Sequence, residues 1–437
     1  MGAPPFALVV LSCIRWYDYF VYVPNSFAVC CVGSFAVTII CRLAHFKRIF
    51  NSNAEIGYNM KNVKCRYAII QQGALTLPEL LQYGEGIRLM PEKQELTSME
   101  DVRDYKVDEE RIFHSATHAE ILEGLTSDLY FVRTRELLTR AGKENTPVVA
   151  DIFCSRAGVL AGVDEVFNLL KGKEELSLWA IPEGEDVQAK EVIMRISGPY
   201  DKFGMYETVM LGMLASATGW ATAARACSEA AEEKPVFCFG ARHVHPAVAS
   251  VMERSAVIGG ALGCSCILGA KLLNKEPIGT VPHAAILIMG DTLETALLYD
   301  EVMPPDSPRI MLVDTFKDEA EETMRLANAL RERLDGVRLD TPGERGGVTP
   351  GLVREVRGRL DQAGFDHVRI FVSGGITAER IPQLAEAGVS AFGVGSYISG
   401  ARPIDMTMDL KEIGGQPIAK RGRIPGITEN RRLVRYL

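Results

Sequence analysis

Acidic and glycine residues follow short apolar segments in the second half of the chain, each time at the point where the apolar segment ends. Asp314 and Asp340 each follow one such segment, and the turns Ser373-Gly374-Gly375 and Gly393-Val394-Gly395-Ser396 follow two others. A carboxylate there can accept hydrogen bonds from sugar hydroxyls or hold Mg²⁺, and a glycine-rich turn lets backbone N–H groups approach an oxyanion. The pattern predicts one opening that two carboxylates and two phosphate-binding turns face. Each aspartate could instead cap the helix that follows it.

A histidine follows another glycine-containing segment. His283 comes three residues after Gly279-Thr280, at the predicted end of a further strand. If one of the aspartates accepts a hydrogen bond from its ring, the tautomer is fixed and the other ring nitrogen becomes more basic. A histidine held in this way can act as a nucleophile toward a phosphoryl group. The alternative is a histidine that only packs against its neighbours.

An arginine lies at the corresponding place after an earlier strand. Arg242 follows Gly240 and has His243 and His245 beside it. A guanidinium suits a carboxylate or a pyrophosphate, because two of its N–H groups can bond two oxygens at once. Arg242 is therefore a candidate for binding an anionic substrate, while either histidine could simply pack.

These residues need a scaffold that brings strand ends together, and the sequence predicts parallel strands. The apolar segments are 309–313, 336–339 and 368–372, and they alternate with amphipathic helices at 317–334, 352–363 and 378–387. Strands joined by helices run parallel through right-handed crossovers, and the carboxyl ends of such strands carry the chemistry. Earlier strands at 235–240 and 265–268, together with the segment 276–283, bring the total to about six strand-and-turn units, enough for a closed or nearly closed barrel. The fold predicted for this part is an irregular (β/α) barrel.

The chain divides into regions of different composition. Residues 231–403 form the predicted α/β barrel domain. Residues 111–230 mix strands and helices without the same regular alternation, which predicts an α+β domain on which residues 404–437 pack back. Residues 60–110 are polar and suggest no fold, and residues 1–59 form a hydrophobic extension.

The hydrophobic extension has two explanations. Residues 19–41 carry no charge and precede a basic stretch, so that they could span a bilayer. Alternatively, residues 1–59 are not native coding sequence and the chain begins near Met60. We expect a cytoplasmic protein that contacts a membrane only if residues 19–41 are a true span.

Composition excludes several classes of protein. The net charge of the 437 residues is -8, which disfavours nucleic-acid binding. The ten cysteines include no CxxC pair, so that we expect neither a zinc site nor a disulfide framework. Buried thiols in a reducing compartment are the simplest explanation.

Taken together, the motifs resemble nicotinate phosphoribosyltransferases of the archaeal and bacterial branch. The resemblance covers residues 113–423. Its motifs are Ser127-Asp128-Leu129-Tyr130-Phe131, Ala180-Ile181-Pro182-Glu183-Gly184, Phe203-Gly204-Met205-Tyr206-Glu207-Thr208, Phe239-Gly240-Ala241-Arg242-His243-Val244-His245-Pro246, Pro277-Ile278-Gly279-Thr280-Val281-Pro282-His283-Ala284, Val313-Asp314-Thr315, Arg338-Leu339-Asp340-Thr341-Pro342, Val372-Ser373-Gly374-Gly375 and Ala391-Phe392-Gly393-Val394-Gly395-Ser396.

The resemblance implies a type II phosphoribosyltransferase that carries out the first step of NAD salvage from nicotinate. Such an enzyme joins nicotinate to 5-phosphoribosyl 1-pyrophosphate with Mg²⁺, and it couples the reaction to ATP hydrolysis through a phosphohistidine. Some relatives carry a cysteine-rich zinc-binding tail; no such cysteine-rich stretch occurs in the 437 residues, so that we expect no zinc. The family usually forms dimers, so that a homodimer or a higher homo-oligomer is expected.

The resemblance also implies roles for individual residues. His283 matches the phosphorylated histidine and Asp314 the carboxylate that orients it. Arg338 and Asp340 match the pair that holds the sugar and its pyrophosphate, with Thr280 beside them. Tyr130 matches an aromatic residue that stacks on the pyridine ring, often across a dimer interface. The remaining matches are the turns of the 5′-phosphate site, which are Ser373, Gly374, Gly375, Gly393, Gly395 and Ser396.

Several alternatives remain open at the level of the sequence. Quinolinate phosphoribosyltransferases share the fold, but they need more cations for a second carboxylate and have no phosphohistidine. Nicotinamide is a closer rival substrate, against which the charge of Arg242 argues. Two alternatives belong to other functional classes. One is a non-catalytic barrel that binds a phosphorylated ligand, and the other is a membrane-tethered scaffold.

Overall fold

The computed structural model describes residues 95–437 and, ahead of them, four short strands. These are β1 (Ala7–Leu11), β2 (Phe27–Ala28), β3 (Cys41–Arg42) and β4 (Tyr67–Gln71), with β1 paired to β4 and β2 paired to β3, both antiparallel. The predicted span at 19–41 therefore lies outside the described residues, except for the strand residues within it. Within the part of the chain that the structure describes, no helix has the length and hydropathy needed to cross a bilayer.

The first large sheet is antiparallel and has six strands. Its strands, in spatial order, are β17 (Gln416–Pro417), β16 (Met406–Ile413), β5 (Pro147–Cys154), β9 (Val192–Pro199), β7 (Ser177–Ala180) and β18 (Val434–Arg435). Residues 404–437 thus supply both edges of the sheet and the long strand that pairs with Pro147–Cys154. A two-stranded ribbon, β6 (Gly158–Val159) with β8 (Asp186–Val187), lies outside this sheet.

Helices cover this sheet with clearly amphipathic faces. Helix Val163–Leu170 buries Val163, Val166 and Leu170, which are three to four residues apart and therefore share one face. The four helices of this half that precede the long helix described below are Met99–Asp104, His118–Leu122, Leu129–Arg140 and Val163–Leu170. Helices His118–Leu122 and Leu129–Arg140 are separated by a turn in which Gly124 adopts a φ of +84°.

The second large sheet is parallel and also has six strands. In chain order they are β10 (Val236–Cys238), β11 (Gly263–Cys264), β12 (Ile310–Leu312), β13 (Gly336–Leu339), β14 (Arg369–Val372) and β15 (Ala391–Val394), and their spatial order is β11-β10-β15-β14-β13-β12. The predicted α/β fold is therefore confirmed.

Closure of the barrel is the part of the fold prediction that the structure does not confirm. The edge strands β11 and β12 do not pair with each other among the described strands. The segment between them reaches both edges instead: Ile278 N donates to Cys264 O at 2.9 Å, and His283 contacts Asp314 just beyond β12. This arrangement is an open parallel sheet whose gap is occupied by an irregular segment.

The crossover helices start at clear capping signals. Asp318 accepts hydrogen bonds from Ala320 N and Glu321 N, and Thr349 accepts one from Leu352 N ahead of Pro350. Each cap contributes about 1 kcal/mol. The helices of this half are Pro246–Ile258, Ile267–Lys271, His283–Met289, Thr292–Val302, Glu319–Leu330, Pro350–Gln362, Ile381–Glu386 and Ser396–Ser399.

Two sequence predictions in this half are wrong. The predicted strand at 265–268 lies after β11, and helix Ile267–Lys271 begins within it and takes up its second half. His283 is the first residue of a helix rather than the end of a strand. Both segments are short and apolar, and a short apolar run fits a buried helix as well as a strand.

A 25-residue helix, Glu207–Ala231, belongs to both halves. Met210 and Leu214 pack into the core under the antiparallel sheet, whereas Ala224 and Cys227 pack into the core of the parallel sheet. Helix Pro246–Ile258 ends at Gly259, which packs directly against this long helix: a Cβ atom on Gly259 would lie 2.1 Å from Ala221 O. Only glycine fits at that position.

Candidate functional site

A cavity of about 430 Å³ opens at the carboxyl ends of the parallel strands. Most of the predicted site residues line it: Arg242, Thr280, Arg338, Asp340, Ser373, Gly374, Gly375, Gly393, Gly395 and Ser396. Phe239, Ala241, His243, Ser265, Ile278 and Gly279 complete the lining. Residues far apart in sequence meet here because parallel strands end at the same edge.

Arg338 and Asp340 are the centre of a hydrogen-bond network. Ser373 Oγ accepts from Arg338 Nε at 2.8 Å and donates to Asp340 Oδ1 at 2.6 Å. Arg338 Nη1 donates to Thr280 Oγ1 at 2.9 Å, and its guanidinium lies 5.2 Å from the centre of the Phe239 ring. The direct contact between Arg338 Nη2 and Asp340 Oδ2 is longer, at 3.6 Å. These hydrogen bonds hold the Arg338 guanidinium and the Asp340 carboxylate in place, while the two groups remain 3.6 Å apart.

The glycine-rich turns leave space that a side chain would fill. Gly374 has a φ of +81°, and a Cβ atom there would lie 3.1 Å from Asp340 Oδ1. At Gly393 an added Cβ would lie 2.5 Å from the Phe239 ring. Arg380 holds the first turn from behind by donating to Gly375 O at 2.6 Å. The turns form a rigid wall in which backbone groups are accessible to a ligand.

Neither aspartate caps a helix. The helix after Asp314 is capped by Asp318, and the helix after Asp340 is capped by Thr349. The capping alternative is therefore wrong for both residues. Their carboxylates remain available for the site.

His283 and Asp314 form a pair beside the cavity, although neither residue lines it. His283 Nε2 lies 3.1 Å from Asp314 Oδ2. The Asp314 side chain is only 2% exposed, compared with 36% for His283. Burial raises the pKa of Asp314, the neighbouring His283 opposes this rise, and the charge of Asp340 adds to it. Asp314 Oδ1 is buried and has no hydrogen-bond partner in the described part of the chain.

Arg242 lies on the short 3₁₀ turn Ala241–His243 that follows β10. It is exposed and lines the cavity. Among the described residues it forms no ion pair with a carboxylate, unlike Arg338. His243 lines the cavity as well, whereas His245 caps the next helix by accepting from Ala247 N at 3.2 Å.

Tyr130 lies away from this cavity. It is in the first turn of helix Leu129–Arg140, its side chain is 56% exposed, and its ring is 4.2 Å from that of Phe131. The cavity of one chain therefore does not contain Tyr130.

Glu253 is a site residue that the sequence analysis missed. It lies on helix Pro246–Ile258, is fully buried, and accepts hydrogen bonds from Ala241 N and Ser265 Oγ, two residues of the cavity wall. The available signal was its position in the buried stripe of that helix, between Ala249 and Ala256. A carboxylate in such a stripe needs partners in the interior.

No cluster of three or more histidine, cysteine, aspartate or glutamate side chains is arranged to hold a metal ion between residues 95 and 437. The cysteines of this range that the structure describes as free thiols are Cys154, Cys227, Cys238, Cys264 and Cys266.

Comparison with known proteins places both halves in one family. Residues 128–218 match the model of the quinolinate phosphoribosyl transferase N-terminal domain. Residues 220–409 match the model of the C-terminal domain of the same family. The boundary between the two matches falls within helix Glu207–Ala231.

Individual relatives agree with this assignment. A nicotinate-nucleotide pyrophosphorylase from Pyrococcus furiosus is 44% identical, with a TM-score of 0.69 over 72% of this chain and 82% of that chain. A nicotinate phosphoribosyltransferase of Mycobacterium tuberculosis is 29% identical over 248 residues, which are 54% of this chain and 52% of that protein. The chain thus spans about half the length of this curated relative. The human nicotinic acid phosphoribosyltransferase shares the fold, with 21% identity and a TM-score of 0.58 over 69% of this chain and 77% of that chain.

Proposed function

Because the chain belongs to the quinolinate phosphoribosyltransferase family of type II phosphoribosyltransferases, we propose that it joins nicotinate to 5-phosphoribosyl 1-pyrophosphate, giving nicotinate mononucleotide and pyrophosphate. The observation that carries the proposal is the cavity itself: Arg242, which forms no ion pair with a described carboxylate, lines it together with Arg338, Asp340 and two glycine-rich turns. Curated relatives named nicotinate phosphoribosyltransferase support the same reaction.

The cavity wall suits the phosphoribosyl donor. In the reaction, the pyridine nitrogen forms a bond to the anomeric carbon while the bond to the pyrophosphate oxygen breaks, so that positive charge develops on the ribose. Asp340 would accept hydrogen bonds from ribose hydroxyls and stabilise that charge, and Arg338 would stabilise the charge growing on the pyrophosphate. The turns at Gly374-Gly375 and Gly395-Ser396 would hold the 5′-phosphate through backbone N–H groups.

The number of available cations favours nicotinate over quinolinate. Arg338 already bonds Thr280 and Ser373 and lies beside Asp340. Arg242 is then the arginine of the cavity wall that is left for a pyridine carboxylate. A second carboxylate would meet the wall that contains Ser265, and behind this wall the carboxylate of Glu253 is buried. Nicotinamide carries no charge for Arg242 to bind.

Mg²⁺ fits the carboxylates that are present. Magnesium sites that bind substrate phosphates use one or two protein carboxylates. Asp340, partly exposed beside the cavity, is the residue that would hold the ion together with the substrate. Bound Mg²⁺ would neutralise charge on the pyrophosphate.

His283 is the proposed site of ATP coupling. Its Nε2 is taken by Asp314, so that Nδ1 is the nitrogen left to attack the γ-phosphorus of ATP. That step forms a P–N bond, breaks the P–O bond to ADP, and leaves a phosphohistidine. Asp314 would accept a hydrogen bond from Nε2–H throughout and so favour the tautomer in which Nδ1 carries a free lone pair. Thr280 lines the cavity, and His283 follows it by three residues, so that the pair lies next to the cavity.

Tyr130 would serve the cavity of a second copy of the chain. Its ring is exposed at one end of a helix rather than packed in the interior. A homodimer would bring it to the partner's cavity, where it would stack on the pyridine ring.

The experiment that tests the proposal measures nicotinate mononucleotide formed from nicotinate and 5-phosphoribosyl 1-pyrophosphate with Mg²⁺, with and without ATP. Wild type should form the product and ATP should stimulate it, whereas His283→Ala should keep the basal rate and lose the stimulation. His367→Ala is the matched control, because His367 lies far along the chain and contacts Arg331 O and Glu332.

Other outcomes would change the assignment. Product made from quinolinate or nicotinamide but not from nicotinate would overturn the substrate, and ATP stimulation that survives His283→Ala would overturn the phosphohistidine. A protein that binds the donor but turns over no pyridine would be a non-catalytic binding protein.

A further inference from the structure

Glu253 is a buried carboxylate between two turns of the cavity wall. Its Oε1 accepts from Ala241 N at 3.0 Å and from Ser265 Oγ at 2.9 Å, and its Oε2 accepts from Cys266 N. The first turn follows β10 and the second follows β11. One side chain therefore ties together two loops that no β-ladder connects beyond the strand ends.

The charge of Glu253 has no cationic partner. Among the described residues, no lysine or arginine forms an ion pair with it, and two backbone N–H groups and one hydroxyl compensate its burial. Its negative charge also helps to raise the pKa of the Cys264 thiol to about 12, after burial itself. Burying an unpaired carboxylate is costly, and three hydrogen bonds with good geometry are what offset that cost here.

The two turns carry groups that face the cavity on one side of the sheet. Arg242 directly follows Ala241, and Ser265 lines the cavity itself. Strands β13 and β14, which carry Arg338 and Asp340 and lead to Ser373, lie toward the other edge. The contacts of Glu253 reach the first side alone.

We propose that Glu253 is a positioning residue that sets the separation between Arg242 and Ser265 and thereby determines the affinity for the pyridine carboxylate. The inference rests on the proposed function for the identity of that substrate. Ser265 commits its hydroxyl proton to Glu253, so that its oxygen presents only lone pairs to the cavity. The pyridine acid is thus held by Arg242 on one side and limited by Ser265 on the other.

The decisive variant is Glu253→Gln, which keeps the size of the side chain and removes its charge. One amide oxygen can still accept from Ala241 N and Ser265 Oγ, but the amide NH₂ then faces the Cys266 N–H, and two donors repel. The KM for nicotinate should rise roughly tenfold to a hundredfold, since a bond to a charged group is lost and a donor is left unpaired. The KM for 5-phosphoribosyl 1-pyrophosphate should stay within about twofold of wild type, because its proposed ligands do not touch Glu253.

One conservative variant and one control variant complete the experiment. Glu253→Asp keeps the charge but is shorter by one methylene group, so that its KM for nicotinate should fall between those of wild type and Glu253→Gln. It also provides the measurement if the glutamine variant does not fold. Arg254→Gln is the matched control, because Arg254 is on the same helix but bonds Asp164 and Glu183 away from the cavity, and both KM values should be unchanged.

The outcomes separate the inference from the proposed function. If wild type makes no product from nicotinate, the proposed function fails, and the same comparison is made with the pyridine that wild type does use. If the wild type is active and both Glu253 variants have its KM values, the inference is wrong. Equal increases in the KM of both substrates together with a lower melting temperature would reduce Glu253 to a structural role and would equally overturn it.

Discussion

The pair of Asp151 with Arg195 and the pair of Asp340 with Arg338 have the same chemistry in two different sheets. In the antiparallel sheet, Arg195 donates to both oxygens of Asp151 at 2.6 and 2.9 Å, and the aspartate is 1% exposed. In the parallel sheet, Arg338 lies 3.6 Å from Asp340, and both side chains are partly exposed beside the cavity.

The two pairs differ in whether their charged groups remain available to a ligand. Asp151 and Arg195 are opposite each other on neighbouring strands and satisfy one another, so that they only stabilise the sheet. Arg338 and Asp340 are held by Ser373 and Thr280 instead, which leaves room between them. A site needs charges that are fixed in place but not neutralised, and only the second arrangement provides them.

The largest effect is expected at the open pair. Asp340→Asn removes the charge that would stabilise the cation-like ribose, and the rate of product formation should fall roughly a hundredfold to a thousandfold. The melting temperature should change little, since the amide can still accept from Ser373. Asp361→Asn, in an exposed i,i+4 pair, serves as the control with unchanged rate. A rate within threefold of wild type for Asp340→Asn would remove Asp340 from the mechanism.

The closed pair should show the opposite behaviour. Asp151→Ala leaves Arg195 largely buried without its carboxylate, and the free energy of unfolding should fall by about 3 kcal/mol. Denaturant unfolding measures this change. The kcat of the folded fraction should equal that of wild type, and a lost kcat at full folding would mean that the antiparallel sheet takes part in the reaction.

Glu207, in the antiparallel half, is a partly buried carboxylate that forms no ion pair with any lysine or arginine that the structure describes. Burial raises the pKa of Glu207 to about 7, and the charges of Asp409 and Asp128 add to the rise. The folded state thus binds more protons than the unfolded state between pH 4.5 and 7, and its stability falls as the pH rises through this range.

Glu207→Gln should remove this loss. We expect the variant to be more stable than wild type at pH 8 by about 1–2 kcal/mol, an amount reduced by the partial exposure of Glu207 and its place at a helix N-terminus. At pH 4 the two proteins should unfold at the same denaturant concentration. An equal difference at both pH values would show that the group does not titrate in this range.

The sequence was informative where one rule connects pattern and position. Parallel strands end at one edge, and residues that follow apolar segments therefore meet there, as Asp340, Ser373 and Gly393 do. The helix predicted at 352–363 forms at Pro350–Gln362, because a threonine cap and an apolar stripe of period 3.6 mark it.

The sequence failed where the outcome depends on pairing between distant segments. Closure of a barrel requires hydrogen bonds between β11 and β12, and local patterning carries no information on that pairing. Segment 265–268 is too short to show the hydrophobic periodicity that distinguishes a strand from a helix. Glu253 was overlooked because its three partners come from two other loops, which only the folded chain brings to it.

The long helix Glu207–Ala231 has a consequence for how the protein folds. Its first half completes one core and its second half the other, so that neither sheet can lose its packing without exposing part of the same helix. Cutting the chain at residue 219, between the two family domains, would divide this helix and leave each domain with an exposed apolar half-helix. We therefore expect the two domains to unfold as a single cooperative unit, and each to aggregate if produced without the other.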